Sequence, residues 1–167
     1  MNKRGHVMNA LLLSIGIGYL IEPSGDVKTF RMIAEVSVPI VLGALFPDVD
    51  TAFGKHRKTL HNLLVLGVVL AYPIYFANLQ FVWIGVITHY ALDFFGTKRG
   101  IALFYPLWDE EFGFPLGVAV SSKWSSAMML AVTAFELVVA AAIVYLLPAS
   151  IQAQGQQVVG LQQFVFF

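Results

Sequence analysis

The sequence predicts an all-α fold: a polytopic membrane helical bundle of about five transmembrane helices, with its N-terminus in the cytoplasm. Three observations carry that prediction. Of the 167 residues, 58% are hydrophobic and only 12% are charged, where a soluble domain has about a quarter of its residues charged. The apolar residues gather into runs approaching the about 20 residues a helix needs to cross a bilayer. The basic residues are shared unevenly between the loops that separate those runs, which is how short loops record orientation.

Residues 7–21 form the first run, interrupted by Ser14, Gly16 and Gly18. Lys3 and Arg4 ahead of it look like the start of a secretory signal, but Ile21-Glu22-Pro23-Ser24 offers no small-x-small cleavage site. An uncleaved first helix that keeps His6 is therefore expected. Residues 32–46 form the second run, with Glu35 near its start and Pro39 within it. Runs 60–78 and 79–95 are separated only by Asn78 and Gln80, and run 126–147 ends at Pro148. Ser14 and Gly18, four apart, would let a neighbouring helix approach closely. Tyr72, Tyr75, Trp83 and Trp124 fall where interfacial aromatics belong. Residues 1–147 read as one integral-membrane domain. Residues 148–167, Gln-rich and ending Phe164-Val165-Phe166-Phe167, read as a disordered or surface-lying tail.

With five spans, the N-terminus, the 47–59 loop and the 96–125 segment share one side. That side holds Lys3, Arg4, Lys55, Arg57, Lys58, Lys98, Arg99 and Lys123, against Lys28 and Arg31 opposite. The excess assigns it to the cytoplasm, giving a multi-pass protein of the cell (inner or plasma) membrane in contact with membrane lipids. Segment 96–125 is too broken by Pro and Gly to span, and is expected to lie near the bilayer as a lid or re-entrant hairpin. Zero net charge argues against a general nucleic-acid binder. The absence of cysteine removes disulfides, thiolate metal sites and a cysteine nucleophile.

The chain is organised around residues 46–61, where Asp48, Asp50, His56 and His61 crowd into a polar loop between two apolar runs. On the predicted topology His6, His89 and Asp93 arrive at the same face, so all four histidines of the chain share one membrane side. Orientation came from lysine and arginine alone, so this agreement is independent of it. His89 and Asp93, four apart, share a helix face, and intramembrane ionisable groups are costly enough to mark function by default. Imidazole nitrogen and carboxylate oxygen both suit a divalent cation. Taken singly, each piece has a plainer reading: a helix-locking His–Asp hydrogen bond, or ordinary Pro-Asp-x-Asp turn chemistry. Four segments delivering His and Asp to one depth outweigh those readings jointly. A break near Lys58-Thr59, with Thr59 as N-cap, would put His61 in the first turn of the third helix as a ligand. His56 would then stay on the loop as general acid or substrate contact. Arg57 and its lysine neighbours could hold an anion, although for the lysines a positive-inside anchor is the simpler account. Glu136, the one charge near the middle of the last run, could hydrogen-bond a neighbouring helix or hold a proton, and belongs to no motif.

His6, Pro47-Asp48-x-Asp50, His56-Arg57-x-x-x-His61 and His89-x-x-x-Asp93, followed by Gly100 and Pro106, resemble the YdjM-like membrane-bound metal-dependent hydrolases, also labelled LexA-binding. The resemblance covers about residues 1–110. The family in turn looks similar to zinc-dependent phospholipase C and related zinc nucleases. It implies metal ligation by His6, Asp48, Asp50, His61, His89 and Asp93, and site roles for His56, Arg57 and Asp50. It implies two or three divalent ions, zinc favoured and manganese or iron admissible for mixed N/O donors. The family pattern has a small hydroxyl residue after the second histidine, where this chain has Asn62. The activity implied is metal-assisted hydrolysis of a phosphoester, with a small-molecule or lipid substrate. Two other classes compete: a non-catalytic scaffold docking a soluble regulatory partner, and a metal-ion or proton transporter. The transporter predicts polar residues continuing through the bundle, of which the sequence offers only Glu136 and Glu35.

Overall fold

The structure, a computed structural model, describes residues 1–76 and 79–146; the expected tail at 148–167 lies outside the described residues. Five α-helices follow in order: α1 (Lys3–Ile21), α2 (Val27–Leu45), α3 (Leu63–Phe76), α4 (Val82–Gly96) and α5 (Ser125–Leu146). A short 3₁₀ helix, Pro47–Ala52, joins the end of α2 to the loop before α3. No strand is present among the described residues. The all-α bundle is thus confirmed.

α1 and α2 begin earlier than their apolar runs because capping, not hydropathy, sets their starts. The Asn2 side chain accepts from Gly5 N at 2.8 Å, and that of Asp26 accepts from Lys28 N at 2.7 Å. α1, the stretch Val27–Ala52 and α5 are each long and apolar enough to cross a membrane. α3 and α4 have 14 and 15 residues, hence ~21 and ~22 Å at 1.5 Å per residue. Both fall short of a hydrocarbon core of about 30 Å. α5 turns Phe135, Val138 and Ile143 outward, all more than half exposed, as suits a helix whose solvent is lipid.

α2 is the centre of the packing, with α1 on one side and α4 on the other. Ala10, Leu13 and Ile17 of α1 meet Val36, Ile40 and Ala44 of α2 in one buried cluster. Gly18 lies against the backbone of Ile33, the close approach its spacing from Ser14 predicts. α2 and α4 touch backbone to backbone: a Cβ on Gly43 would run into the Val82 carbonyl, and one on Gly85 into that of Ile40. Leu92, Met129 and Val132 fasten α5 to α4. α3 stands apart, burying only Pro73.

Residues 97–124 form no regular element. Two isolated bridges, Thr97 to Val118 and Ile101 to Phe112, fold the segment back on itself, and Gly100 packs so tightly on Phe112 that no side chain fits. Ile101 and Ala102 are fully buried while Leu107 and Trp108 are exposed. Ala102 N donates to Arg57 O at 2.9 Å, and Leu63 N to Leu103 O at 2.9 Å. The segment is therefore clasped to the loop between the 3₁₀ helix and α3.

Candidate metal centre

Four chain ends meet where that clasp closes: the start of α1, the 3₁₀ helix after α2, the loop into α3 and the last turns of α4. His6, Asp50, His61, His89 and Asp93 are each at most 1% exposed, and Asp48 is 7% exposed. His6 stacks on His89 with ring centroids 3.7 Å apart. Its Nε2 lies 3.4 Å from Asp93 Oδ1, yet neither ring nitrogen of His6 makes a hydrogen bond among the described residues.

His89 is set by the glycine contact between α2 and α4. With the backbones in touch, His89 Nδ1 reaches the Ala44 carbonyl at 2.6 Å. A carbonyl only accepts, so this nitrogen carries the proton and Nε2 presents its lone pair. His61 is set in the same sense: its Nδ1 lies 2.9 Å from Asp50 Oδ2, so a neutral ring again leaves Nε2 unprotonated. Burial pushes the His61 imidazole below its ordinary value, against the pull of the Asp50 and Asp93 carboxylates, which favours that neutral form. The two Nε2 atoms stand 3.0 Å apart. Two lone pairs at that distance repel unless a proton or a metal cation lies between or beside them.

Carboxylates surround the pair. His89 Nε2 is 3.8 Å from both Asp48 Oδ1 and Asp93 Oδ2, and His61 Nε2 is 4.0 Å from Asp93 Oδ2. Donor atoms of His6, His89 and Asp93 fall within 4.8 Å of one another, as do those of Asp48, His56 and His61. These mixed nitrogen and oxygen sets fit divalent cations of the zinc type, and two adjoining sets fit two of them.

The structure therefore gathers every residue named from the sequence but redistributes their parts. Asp50 is turned to the backs of two imidazoles, holding His56 Nδ1 at 3.0 Å as well as His61. It aims rings rather than joining either donor group, the place a carboxylate takes behind a metal-bound histidine. His56, expected on the loop as acid or substrate contact, is the most open of the set at 38%, and also completes the second donor group. Arg57 is buried and at φ 69. It donates to Thr97 Oγ1 at 3.0 Å, to Gly100 O at 3.2 Å and to Arg99 O, with Nη2 3.7 Å from Asp93 Oδ1. Its guanidinium is committed to the 97–100 backbone and to Asp93, where the sequence reading had it holding an anion.

The expected N-cap at Thr59 is corrected. Thr59 Oγ1 accepts from Lys55 N at 2.8 Å inside the loop, and α3 starts at Leu63. Asn62 caps it, accepting from Val65 N at 3.0 Å, while its amide donates to Lys58 O and Thr59 O. His61 consequently precedes the helix. Asn62 supplies the capping acceptor that a small hydroxyl residue would supply there.

Two features lie beyond the residues the sequence singles out for the site. The amino group of Met1 ion-pairs with Asp93, a long-range contact no motif announces. Deeper in the bundle, Glu136 accepts from Thr88 Oγ1 at 2.7 Å and from Asn9 Nδ2 at 3.2 Å. Asn9 also donates to Thr88 at 2.6 Å and accepts from Thr133. The available signal was spacing: Asn9 is one turn from His6, and Thr88 adjoins His89.

No curated protein and no solved structure matches the chain. The family model for the YdjM inner membrane protein matches residues 1–158, and the chain belongs to that family as a membrane protein.

Proposed function

We propose that this protein is a multi-pass, membrane-embedded, metal-dependent hydrolase, with its site at the cytoplasmic face and a phosphoester or phospholipid as substrate. The observation that carries the proposal is the His61–His89 pair. Both rings have their Nδ1 occupied by an acceptor, from Asp50 and Ala44, and both aim Nε2 at one point 3.0 Å apart. His6, buried with no hydrogen bond among the described residues, and the carboxylates of Asp48 and Asp93 close around that point. A divalent cation there would supply Lewis acidity and lower the pKa of a bound water to about 7.

The chain's own residues have distinct tasks in this reading. His6, His89 and Asp93 hold one cation, and Asp48, His56 and His61 a second. Asp50 fixes the tautomer of His61 and aims His56. His56, the most open imidazole of the set, with its Nδ1 turned to Asp50, faces an incoming substrate at the mouth. Arg57 holds Asp93 and the clasp in register. Elemental analysis of purified protein, with assays on phosphodiester and phospholipid panels, tests the proposal. At least one divalent ion per chain is expected, with turnover that His61→Ala abolishes. Fewer than one ion per chain, or no metal-dependent turnover on either panel, would overturn it.

A further inference from the structure

Between α3 and α4 runs an open groove of about 250 Å³. Its walls are Leu63 and Leu66 on one side and Ile87, Ala91 and Phe94 on the other, with Leu103 of the clasp across its end. The one polar group among its lining residues is turned away: the Tyr90 hydroxyl donates to Leu60 O at 2.6 Å. An occupant therefore needs no hydrogen-bonding capacity, only apolar surface. The groove exists because α3 is barely packed on the bundle, and a side chain on Gly67 would meet nothing within 4 Å. It is continuous with the outer flank of α3, where Leu64 and Val68 are more than 60% exposed, the surface a membrane protein already gives to lipid.

One wall of the groove lies next to the His/Asp cluster. Leu63 is two residues past His61, and the Tyr90 ring stacks at 6.0 Å from the His61 ring. We propose that the groove seats an acyl chain of a bilayer phospholipid, so that the lipid's phosphate lies at the His/Asp cluster. This rests on the hydrolase reading and narrows it: the substrate enters sideways from the inner leaflet, not from the cytosol. Charge agrees with that occupant, because exposed Lys55 stands beside His56 at the mouth and would meet an anionic head group.

The test uses the full chain in vesicles of phosphatidylethanolamine and phosphatidylglycerol containing a phosphatidylglycerol with a diazirine near the end of one acyl chain. Photolabel is expected on the peptides carrying Leu66 and Phe94, and is expected to drop in Ala91→Trp and, as a second filling variant, Ile87→Trp. Metal content equal to wild type certifies that either variant is folded. The ratio of turnover on long-chain phosphatidylglycerol to turnover on a short-chain analogue should fall by about tenfold in the filled variants. Label that ignores both substitutions, or that maps to α5 alone, overturns the groove. So does cross-linking of α3 to a second copy. Absence of hydrolysis on every substrate counts against the enzymatic reading alone, because the photolabel still decides the groove.

Discussion

Two polar clusters lie one helical turn apart in this bundle, and they satisfy themselves differently. In the deeper one the carboxylate of Glu136 accepts from Thr88 and Asn9, and Asn9 accepts from Thr133. Its donors and acceptors answer each other within the cluster. The cluster at the helix ends does not close. It crowds three carboxylates, four imidazoles and the buried Arg57 together, sets the Nε2 atoms of His61 and His89 3.0 Å apart, and leaves both nitrogens of His6 without a hydrogen bond among the described residues. A buried polar group left unmade costs about 1–3 kcal/mol, a cost that the cation proposed above would relieve. The comparison separates structural polarity from functional polarity better than burial does, because both clusters are buried.

The largest effect should come from removing what the open cluster binds. A cation bound at 100 times its Kd adds about 2.7 kcal/mol to stability. Chelator should therefore lower the thermal midpoint of the wild type in detergent while leaving His89→Ala unmoved, its midpoint already low. A wild-type midpoint indifferent to chelator would erase the contrast between the two clusters.

Next in size is the closed cluster. Glu136→Ala strands the Thr88 hydroxyl and one Asn9 amide hydrogen, at a cost of about 1–3 kcal/mol. Glu136→Gln, which keeps one acceptor, should cost less. Metal content should stay at the wild-type value in both. Loss of metal in Glu136→Gln would mean that the deeper cluster is part of the site, and that the polar path a transporter needs begins there.

Asn62 tests whether the geometry of His61 depends on its neighbour. Asn62→Ala should cost about 1 kcal/mol as a lost N-cap and loosen His61, measurable as weaker zinc affinity. Asn62→Ser, the residue type expected from the family pattern, should retain both. Equal affinity in the alanine and serine variants would show that the cap supports α3 and not the site.

Much of this was legible from residue order because ligand chemistry is local in type even when distant in space. Histidine and aspartate at apolar-run ends stand out against 58% hydrophobic composition, and charge asymmetry alone placed them on one face. Roles were less legible. Whether Asp50 binds a cation or aims His61 depends on which side of the imidazole it reaches, which the fold of the 3₁₀ helix decides. Arg57 resembled an anion clamp until its partners proved to be the carbonyls of residues 99 and 100, more than forty positions away. The lengths of α3 and α4 misled for a related reason: runs drawn from Leu60 and Leu79 took in polar residues, whereas the Asn62 cap starts α3 at Leu63 and α4 begins only at Val82.

The smallest expected effect concerns the clasp that covers the open cluster and has no counterpart over the closed one. Arg99 Nε and Nη2 donate to the two Glu111 oxygens at 2.6 and 2.7 Å, tying residues 97–101 to 111–112. The Arg99 guanidinium holds the Glu111 carboxyl below its ordinary value of about 4.5. A depressed carboxylate stabilises the fold above its unfolded value and loses that contribution as pH falls through the folded value. Because Arg99 is 63% exposed, the pair is worth about 0.2–1 kcal/mol. Hydrogen exchange at the Ile101 and Phe112 amides should therefore be faster in Glu111→Gln than in wild type at pH 7, with the difference closing as the pH drops well below 4.5. A difference that persists unchanged in acid would show that the clasp is held by its backbone bridges and by Arg57, with the surface ion pair contributing nothing.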